Sequence, residues 1–284
     1  VGVKGMGTKE TDIVSDLLIT TTHHDILFFT NRGRAFVLKA YEIPESGRQA
    51  KGTAIVNLLA VESDERITAV IQVKEFKPDR FLFLGTKRGV VKKTPLAEFA
   101  NIRKSGLRAV NLDEDDELIG VKFTDGENRI MLGTRGGKAI CFPEDGVRSM
   151  GRIARGVRGI SLSDGDEVVA MDILKQDSEV LTVTEGGYGK RTTAEEYRTQ
   201  TRGGKGLINM KVTDKTGSVV GIRVVRENQE LMLITTDGIV IRTTVDEISL
   251  ISRNTQGVKL MTLGESDRVA SMATMNRIVD APSE

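Results

Sequence analysis

The chain has 284 residues, 41 Lys or Arg against 40 Asp or Glu, a net charge of +1, and one cysteine. This length can bury a substantial core as one large all-β unit or as two domains, and the balanced charge by itself indicates no partner. The single Cys141 excludes an internal disulfide framework and is typical of a reducing compartment. No run approaches the roughly 18 apolar residues of a membrane span, and no signal-like core begins the chain, so we expect a soluble intracellular protein. Because the chain begins at Val1 rather than Met, we also expect it to be a piece of a longer protein.

Three markers recur along the chain with a period near fifty residues. They are a Thr-x-x-Gly turn at 30–33, 86–89, 134–137, 184–187 and 235–238, a single glycine at 52, 106, 156, 206 and 257, and an acidic turn at 62–65, 113–117, 164–167, 214–217 and 265–267. Successive turn glycines lie 56, 48, 50 and 51 residues apart. An acidic turn also occurs once earlier, at 9–12, before the strand-like run 13–20. The chain is therefore a repeat protein of five full units, preceded by the trailing part of a sixth.

Each unit contains about four short runs rich in Val, Ile, Leu and Thr, bounded by Gly or Asp turns. The predicted strands are 129–134, 138–142, 157–162 and 168–174 in the third full unit, and 179–184, 189–193, 206–212 and 219–225 in the fourth. Single helical turns are predicted near 96–102, 194–199 and 245–249. Four strands per fifty residues favour an all-β ring of four-stranded blades, as in a propeller. We treat 1–284 as a single domain with units 1–24 (partial), 25–75, 76–125, 126–175, 176–226 and 227–276, and a tail at 277–284.

One loop in the fourth full unit has an unusual composition: Gln200, Thr201, Arg202, Gly203, Gly204, Lys205 and Gly206. Its glycines allow a sharp turn that presents N–H groups to an anion, and its two cations add positive charge. Taken alone, such a loop is more typical of a plain solvated turn. It gains significance because weaker copies recur at 46–52, 101–106, 151–156 and 253–257.

Positive charge is concentrated in one part of every unit. The windows 30–52, 86–108, 134–158, 184–206 and 235–259 hold 26 Lys or Arg and 11 Asp or Glu, whereas the rest of the chain holds 15 and 29. Equivalent positions of each blade fall on equivalent sites of a ring, so the sequence predicts a basic band with the acidic turns elsewhere. Such a band is an electrostatic track for a long polyanion, of which duplex DNA is the obvious one. The alternative is that solvated hairpin tips simply favour Lys and Arg.

No catalytic or metal-binding set emerges from the remaining motifs. His23 and His24 are the only histidines and, adjacent in a strand, would point to opposite faces. The run 186–190 lacks the first glycine and the Ser or Thr of a phosphate-binding P-loop. The turn 164–166 lacks the further ligands of an EF-hand. We therefore expect a domain that is not an enzyme by itself and that has no metal or cofactor of its own.

Several stretches of the chain resemble one known family. The loop 200–206 is similar to the GyrA box, Q-R-R-G-G-[KR]-G, the signature of the C-terminal domain of the DNA gyrase A subunit. The stretches 31–34, 55–59, 64–67 and 188–191 also look like that family, and the resemblance covers the whole chain. It implies a six-bladed β-pinwheel, a propeller-like disc in which neighbouring blades exchange strands. It also implies that duplex DNA is wrapped around a basic perimeter in a right-handed, positive sense, so that gyrase introduces negative supercoils.

The same resemblance implies partners and marks two departures. The partners are double-stranded DNA, the gyrase B subunit, plus the rest of the gyrase A subunit; ATP and Mg²⁺ belong to the whole gyrase. The isolated domain is expected to be monomeric and to reside in the bacterial cytoplasm, associated with the nucleoid. Thr201 stands where the signature has an Arg. The principal box of the family would end immediately before Val1, so we expect an incomplete first blade.

The candidate DNA-binding residues are the seven residues of the loop 200–206 and a set of perimeter cations. The perimeter set is Arg32, Arg34, Lys39, Arg48, Lys51, Lys87, Arg88, Lys92, Lys93, Arg103, Arg135, Lys138, Arg152, Arg155, Lys190, Arg191 and Arg198. Three Tyr and no Trp leave little for base stacking, so we expect duplex binding with little base specificity.

Three alternatives remain open. The equivalent domain of topoisomerase IV shares the fold, although the well-kept box at 200–206 favours gyrase. A protein-binding propeller fits the period, but the chain lacks the Trp and regular aromatic positions of kelch and WD repeats. An enzyme on a propeller scaffold is disfavoured by the lack of a catalytic set.

Overall fold

The computed structural model describes residues 20–46 and 50–276, which form five separate β-sheets. In chain order the strands are β1 (Asp25–Thr30), β2 (Arg34–Lys39), β3 (Ile67–Val73), β4 (Phe81–Thr86), β5 (Val90–Pro95), β6 (Leu107–Arg108), β7 (Leu118–Thr124), β8 (Arg129–Thr134), β9 (Lys138–Pro143), β10 (Val157–Arg158), β11 (Val168–Ile173), β12 (Glu179–Thr184), β13 (Tyr188–Thr193), β14 (Leu207–Ile208), β15 (Val219–Val225), β16 (Gln229–Thr235), β17 (Val240–Thr244), β18 (Val258–Lys259) and β19 (Val269–Asn276). The all-β architecture predicted from the repeat is confirmed.

Helical structure in these residues is confined to six short 3-10 turns, at Ala40–Glu42, Ile55–Asn57, Leu96–Phe99, Glu144–Gly146, Ala194–Glu196 and Val245–Glu247. Three of them lie where the sequence predicts helical turns. In the described part of the chain, no helix has the length and apolarity needed to cross a membrane.

Neighbouring sheets are joined by exchange of their outermost strands. Sheet A has the order β3-β1-β2-β6, sheet B β7-β4-β5-β10, sheet C β11-β8-β9-β14 and sheet D β15-β12-β13-β18, while sheet E contains β19-β16-β17. In sheets A to D the fourth strand comes from the repeat unit that builds the next sheet. It is only two residues long in each case. The exchange implied by the family resemblance is therefore present.

The sheets are arranged around a common centre. Consecutive inner strands β3, β7, β11, β15 and β19 pack against one another, and all five line a single central cavity. Between consecutive sheets lie apolar cores, such as the one in which Leu27 and Phe29 of sheet A meet Leu82 and Leu84 of sheet B. The middle strands are thus covered on both faces, which explains why β1, β4, β8 and β12 show no alternation of polar and apolar residues.

The threonine makes the same hydrogen bond in all five Thr-x-x-Gly turns. In each turn the Thr hydroxyl accepts a bond from the backbone N–H of the residue that follows the glycine, as Thr134 does from Lys138 at 3.1 Å. The glycine has positive φ in all five turns, a conformation that glycine adopts without steric cost. All five threonines are buried, so the motif closes the hairpin beneath the surface.

Glycine is also required where the exchanged strand reaches its new sheet. Gly206 has φ +75°, and a Cβ atom there would lie 2.5 Å from the carbonyl oxygen of Ala139. Its equivalents Gly106, Gly156 and Gly257 have the same left-handed conformation. Gly106, Gly156, Gly206 and Gly257 therefore serve the fold in four units, whereas Gly52 has open space around it and no positive φ.

The partial unit at the start of the chain, residues 1–24, lies mostly outside the described residues, as does the tail 277–284. The five described sheets correspond to the five full units. Within residues 20–46 and 50–276, β17 has no outer partner strand.

We predict a graded response to alanine at three glycines. Gly137 has φ +87° and a virtual Cβ 2.3 Å from the carbonyl oxygen of Met210, whereas Gly165 has φ +73° with open space around it, and Gly146 has open space without positive φ. Urea unfolding should show a loss of about 3 kcal/mol or more for Gly137→Ala, about 1 kcal/mol for Gly165→Ala and less than about 0.5 kcal/mol for Gly146→Ala. An equal loss for all three would mean that neither the contact nor the dihedral angle matters.

Candidate nucleic-acid interface

In the described residues, four segments carry the chain from a 3-10 turn to an exchanged strand along the outer edge of the ring. We call residues 100–108, 147–158, 197–208 and 248–259 the rim connectors. Each rim connector begins after the end of the second strand of its own unit. It ends beside the start of the second strand of the preceding sheet; Arg108, for example, pairs with Arg34. Because those two strand ends lie on opposite faces, each rim connector crosses the thickness of the disc.

The rim connectors carry positive charge only. They contain three, four, three and two Lys or Arg respectively and no Asp or Glu. The cations are Arg103, Lys104, Arg108, Arg148, Arg152, Arg155, Arg158, Arg198, Arg202, Lys205, Arg253 and Lys259. Nine of the twelve are exposed, and Arg152, Arg202 and Arg253 are half-buried.

The loop 200–206 packs tightly against its neighbours. The backbone N–H of Gln200 donates to the carbonyl of Cys141 at 2.7 Å, and that of Gly203 donates to Gly159 at 2.7 Å. The hydroxyl of Ser161 donates to the carbonyl of Gly203 at 2.7 Å. The loop is thus fixed to β9 of the preceding sheet and to residues that directly follow the connector of the preceding unit.

Three side chains of this loop have different environments. The guanidinium of Arg202 donates to the carbonyls of Gly146 and Arg158, both at 3.0 Å, and so braces two successive connectors. The amide oxygen of Gln200 is buried rather than presented to solvent. Lys205 is exposed. Thr201 is exposed as well, and of the two cations in the loop Lys205 is the one more open to a ligand.

The predicted separation of the basic band from the acidic turns is wrong on one face of the disc. Antiparallel pairing places each acidic turn at the same end of its sheet as the hairpin turn, for example where Thr30 pairs with Ile67. We call this side the hairpin face. Its cations meet the acidic turns directly: Arg32 pairs with Asp64, Lys87 with Glu167 at 3.5 Å, and Arg135 with Glu167 at 3.9 Å and Glu185 at 3.6 Å. Arg88 is exposed on the same face, and its backbone N–H donates to Asp116.

Four of the predicted perimeter cations face inward instead. Lys92 and Lys190 are fully buried and Lys93 is 7% exposed, while the side chain of Arg191 is 12% exposed and binds Glu179 at 2.6 Å. Their charged groups donate to backbone carbonyls of the next unit, as Lys93 does to Glu144 at 3.1 Å. The sequence windows counted these residues as rim charge, but Lys92 and Lys93 are adjacent and point to opposite faces of β5, and both faces of this strand are buried. The prediction that these four cations lie on the perimeter is therefore wrong, and they have a structural role instead.

Burial lowers the pKa of two of these lysines. It lowers the pKa of Lys92 to about 8, with Arg152 acting in the same direction and Glu98 opposing it. It lowers the pKa of Lys190 to about 8 in the same way, with Arg253 and Glu196 in the corresponding roles.

The remaining predicted cations lie in several places. Arg34 binds Glu65 at 2.8 Å and Lys39 binds Asp25 at 2.8 Å. Lys138 is half-buried at the start of β9, and Lys51 is exposed. Arg48 lies outside the described residues.

The sequence reasoning missed half of the rim cations: Lys104, Arg108, Arg148, Arg158, Arg253 and Lys259. Three of these cations could have been identified by their spacing from the connector glycine. Arg108, Arg158 and Lys259 each stand two residues after a connector glycine, in the exchanged strand itself. Ile208 occupies the equivalent position after Gly206 and is 39% exposed.

A ring of strand-exchanged sheets with a cation-only rim defines a β-pinwheel suited to a polyanion. The family model described as "DNA gyrase C-terminal domain, beta-propeller" matches residues 24–74, 80–125, 128–175, 178–226 and 229–274. These five matches coincide with the five described sheets. The chain therefore belongs to the DNA gyrase C-terminal domain family.

Individual relatives agree with this assignment. The chain is 56% identical to the DNA gyrase A subunit of Clostridium acetobutylicum over 276 residues, which is 97% of this chain and 33% of the relative. It is 46% identical to the gyrase A subunit of Staphylococcus aureus strain MRSA252 over 286 residues, covering 100% of this chain and 32% of the relative. The chain thus spans about a third of the length of these relatives.

Two solved structures share the fold. The C-terminal domain of DNA topoisomerase IV superimposes with a TM-score of 0.88 at 27% identity, over 96% of this chain and 85% of that one. The DNA gyrase A C-terminal domain superimposes with a TM-score of 0.75 at 24% identity, over 92% and 89%, and this match supports the fold alone.

The lowered pKa values predict a pH dependence of stability. A folded-state pKa of about 8 against 10.5 means that the unfolded chain binds more protons between these pH values, so each lysine makes stability rise with pH across that window. We expect the unfolding free energy of the unmodified chain, minus that of the double variant Lys92→Met, Lys190→Met, to increase from pH 8 to pH 10. The slope is at most on the order of 1 kcal/mol per pH unit for each lysine. A flat or falling difference in chemical unfolding curves would contradict the lowered pKa.

Proposed function

We propose that this domain binds duplex DNA along its rim and wraps it around the disc in a right-handed, positive sense. The observation that carries the proposal is the set of rim connectors, which hold twelve cations and no carboxylate along the outermost surface of the described ring. Phosphate binding by Lys and Arg is the sequence-independent part of protein–DNA affinity. Membership of the DNA gyrase C-terminal domain family supports DNA as the polyanion.

Wrapping needs charge that is spread along a path. Bending 20–30 base pairs by 40–90° costs roughly 1–6 kcal/mol, and a wrap around a disc requires several such bends. No single contact offsets this cost, whereas four rim connectors spaced around the ring supply contacts at regular intervals. If about ten phosphates are neutralised, the logarithm of the binding constant should fall with that of salt concentration at a slope of about −9.

Readout of base sequence is not expected. Three Tyr and no Trp give little surface for stacking on bases. Lys and Arg on a convex rim meet the phosphate backbone before they meet base edges, so they position the duplex without reading it.

In the larger protein, the wrap would present a DNA segment to the rest of gyrase so that strand passage introduces negative supercoils. On this proposal the domain is not catalytic by itself. The A and B subunits of gyrase are its protein partners, ATP and Mg²⁺ act elsewhere in the enzyme, and the setting is the bacterial cytoplasm. The topoisomerase IV domain is the second candidate because of its TM-score of 0.88, but the 56% identity to a gyrase A subunit favours gyrase.

The direct test is DNA topology. Nicked circular DNA is ligated in the presence of saturating domain at low salt, and the linking number is scored after the protein is removed. We expect a positive shift that grows with the number of bound domains and disappears at high salt. Unchanged linking number with demonstrated DNA binding would contradict wrapping.

Two double variants with equal charge change separate the rim from the hairpin face. Arg108→Ala with Arg158→Ala removes two exposed rim cations, whereas Arg135→Ala with Arg268→Ala removes two cations that pair with Glu185. In salt-titrated DNA binding, the rim variant should lose about tenfold to a hundredfold in affinity at low salt and about two units of salt slope. The face variant should stay within about threefold, because surface ion pairs already neutralise its cations. Equal losses of DNA affinity in both variants would contradict a DNA path along the rim.

A gain-of-charge variant tests the same path from the opposite direction. Ile208 stands at the position occupied by Arg108, Arg158 and Lys259 in the other exchanged strands. Ile208→Lys should therefore tighten DNA binding severalfold at low salt, and Ile208→Gln controls for loss of the apolar side chain. No difference between the lysine and glutamine variants would show that DNA does not pass this point.

A further inference from the structure

At one position of the second strand, three of the five sheets have an apolar residue and two have a lysine. Three residues after the hairpin glycine stand Phe36 in sheet A, Lys92 in sheet B, Ile140 in sheet C, Lys190 in sheet D and Ile241 in sheet E. Both lysines are fully buried. No carboxylate in the described residues accepts a hydrogen bond from either ammonium group.

The two lysines make matching contacts with the incoming rim connector. The Nζ of Lys92 donates to the backbone carbonyls of Gly151, at 3.1 Å, and Arg152. The Nζ of Lys190 donates to the carbonyls of Ser252, at 2.8 Å, and Arg253. These acceptors stand five and four residues before the connector glycines, so both lysines hold the same two points of the loop.

A carboxylate holds the same connector from its other side. The backbone N–H of Arg152 donates to Glu98 at 3.0 Å, and that of Arg253 donates to Glu196 at 2.9 Å. Both Glu residues belong to the sheet that contributes the buried lysine. The peptide unit before each connector arginine is thus bound by the acid at its N–H and by the lysine at its carbonyl, and the peptide unit after it is bound by the lysine.

The connector that carries the loop 200–206 is held differently. Gly146 stands where the other units have Glu98 and Glu196, and its carbonyl accepts a bond from the Arg202 guanidinium. Ile140 replaces the lysine, and Gly204 and Gly206 lie directly against it. In this connector, the packing of the glycines against Ile140 and the hydrogen bond from Arg202 replace the lysine and glutamate contacts of the other two.

We propose that Lys92 and Lys190 are positioning residues that clamp the rim connectors 147–158 and 248–259, so that their arginines are held in place for DNA. The proposal rests on the DNA-wrapping function proposed above. A buried ammonium bonded to neutral oxygens alone is retained only where those hydrogen bonds offset its desolvation. Removing the amine leaves two connector carbonyls without a partner, and the loop is then freer to leave the rim surface.

Trypsin provides a local test, because it must attack the carbonyl of Arg152 or Arg253, the very groups that the two lysines bind. The test variants are Lys92→Ile and Lys190→Ile, which place in sheets B and D the residue that sheet C tolerates at position 140. Cleavage after Arg202 in the same chain is the internal reference, since no lysine clamps that connector.

We expect Lys92→Ile to be cut about tenfold faster after Arg152, with unchanged rates after Arg202 and Arg253. Lys190→Ile should be cut faster after Arg253 only. Equal acceleration at all three sites, or none at the predicted site, would overturn the clamp. If either isoleucine variant does not fold by circular dichroism, Lys92→Met and Lys190→Met keep the unbranched stem and are judged by the same rates.

The DNA readout uses the double variant Lys92→Ile, Lys190→Ile, which keeps all rim cations. We expect a smaller linking-number shift per bound domain than for the unmodified chain at equal occupancy, with an unchanged circular dichroism spectrum. An unchanged shift per bound domain would overturn the positioning role. If the unmodified chain itself gives no shift, the wrapping function fails, and the trypsin rates still decide whether the clamp exists.

Discussion

The pairing of a two-residue strand with the neighbouring sheet is the contact on which the rest of this architecture depends. Without β6, β10, β14 and β18, the second strand of each of sheets A to D would present an open edge, and consecutive sheets would lose a continuous pair of backbone hydrogen-bonded strands between them. Because each exchanged strand belongs to the following unit, it ties consecutive sheets covalently and by hydrogen bonds. The same exchange forces the chain across the outside of the ring, and that crossing creates the rim connectors.

The distribution of charge follows from this path. On the hairpin face, antiparallel pairing brings acidic turns beside basic turns, so the two neutralise each other locally. Among the twelve rim cations, Arg155 pairs with Asp113 at 2.9 Å and Arg152 contacts Glu98 at 3.9 Å. The other ten make no ion pair in the described residues, and eight of them are exposed to an external polyanion. A nearly neutral chain with a net charge of +1 can therefore present a strongly basic edge.

The repeat, the all-β ring and the hairpin turns were predictable from sequence because Thr-x-x-Gly and the connector glycines mark local geometry. The positions of the charges on the ring were less predictable from sequence. Lys92 and Lys190 look like ordinary rim cations, since the face of a strand that is buried depends on the neighbouring sheet rather than on the strand. The sequence predicts strands at 157–162 in the third full unit and 206–212 in the fourth, yet only Val157–Arg158 and Leu207–Ile208 pair with a neighbouring strand. Arg202 was expected to contact DNA, but its bonds to Gly146 and Arg158 depend on the packing of two connectors.

Site-directed cross-linking tests most directly whether DNA follows the rim rather than the hairpin face. With Cys141 replaced by Ser, single cysteines at Arg103, Arg158 or Lys205 on the rim, and at Lys87 or Arg135 on the face, are labelled with an aryl azide and irradiated with duplex DNA at low salt. A rim path predicts cross-links from all three rim positions and only background from the two face positions. Efficient cross-linking from the face with none from the rim would contradict it.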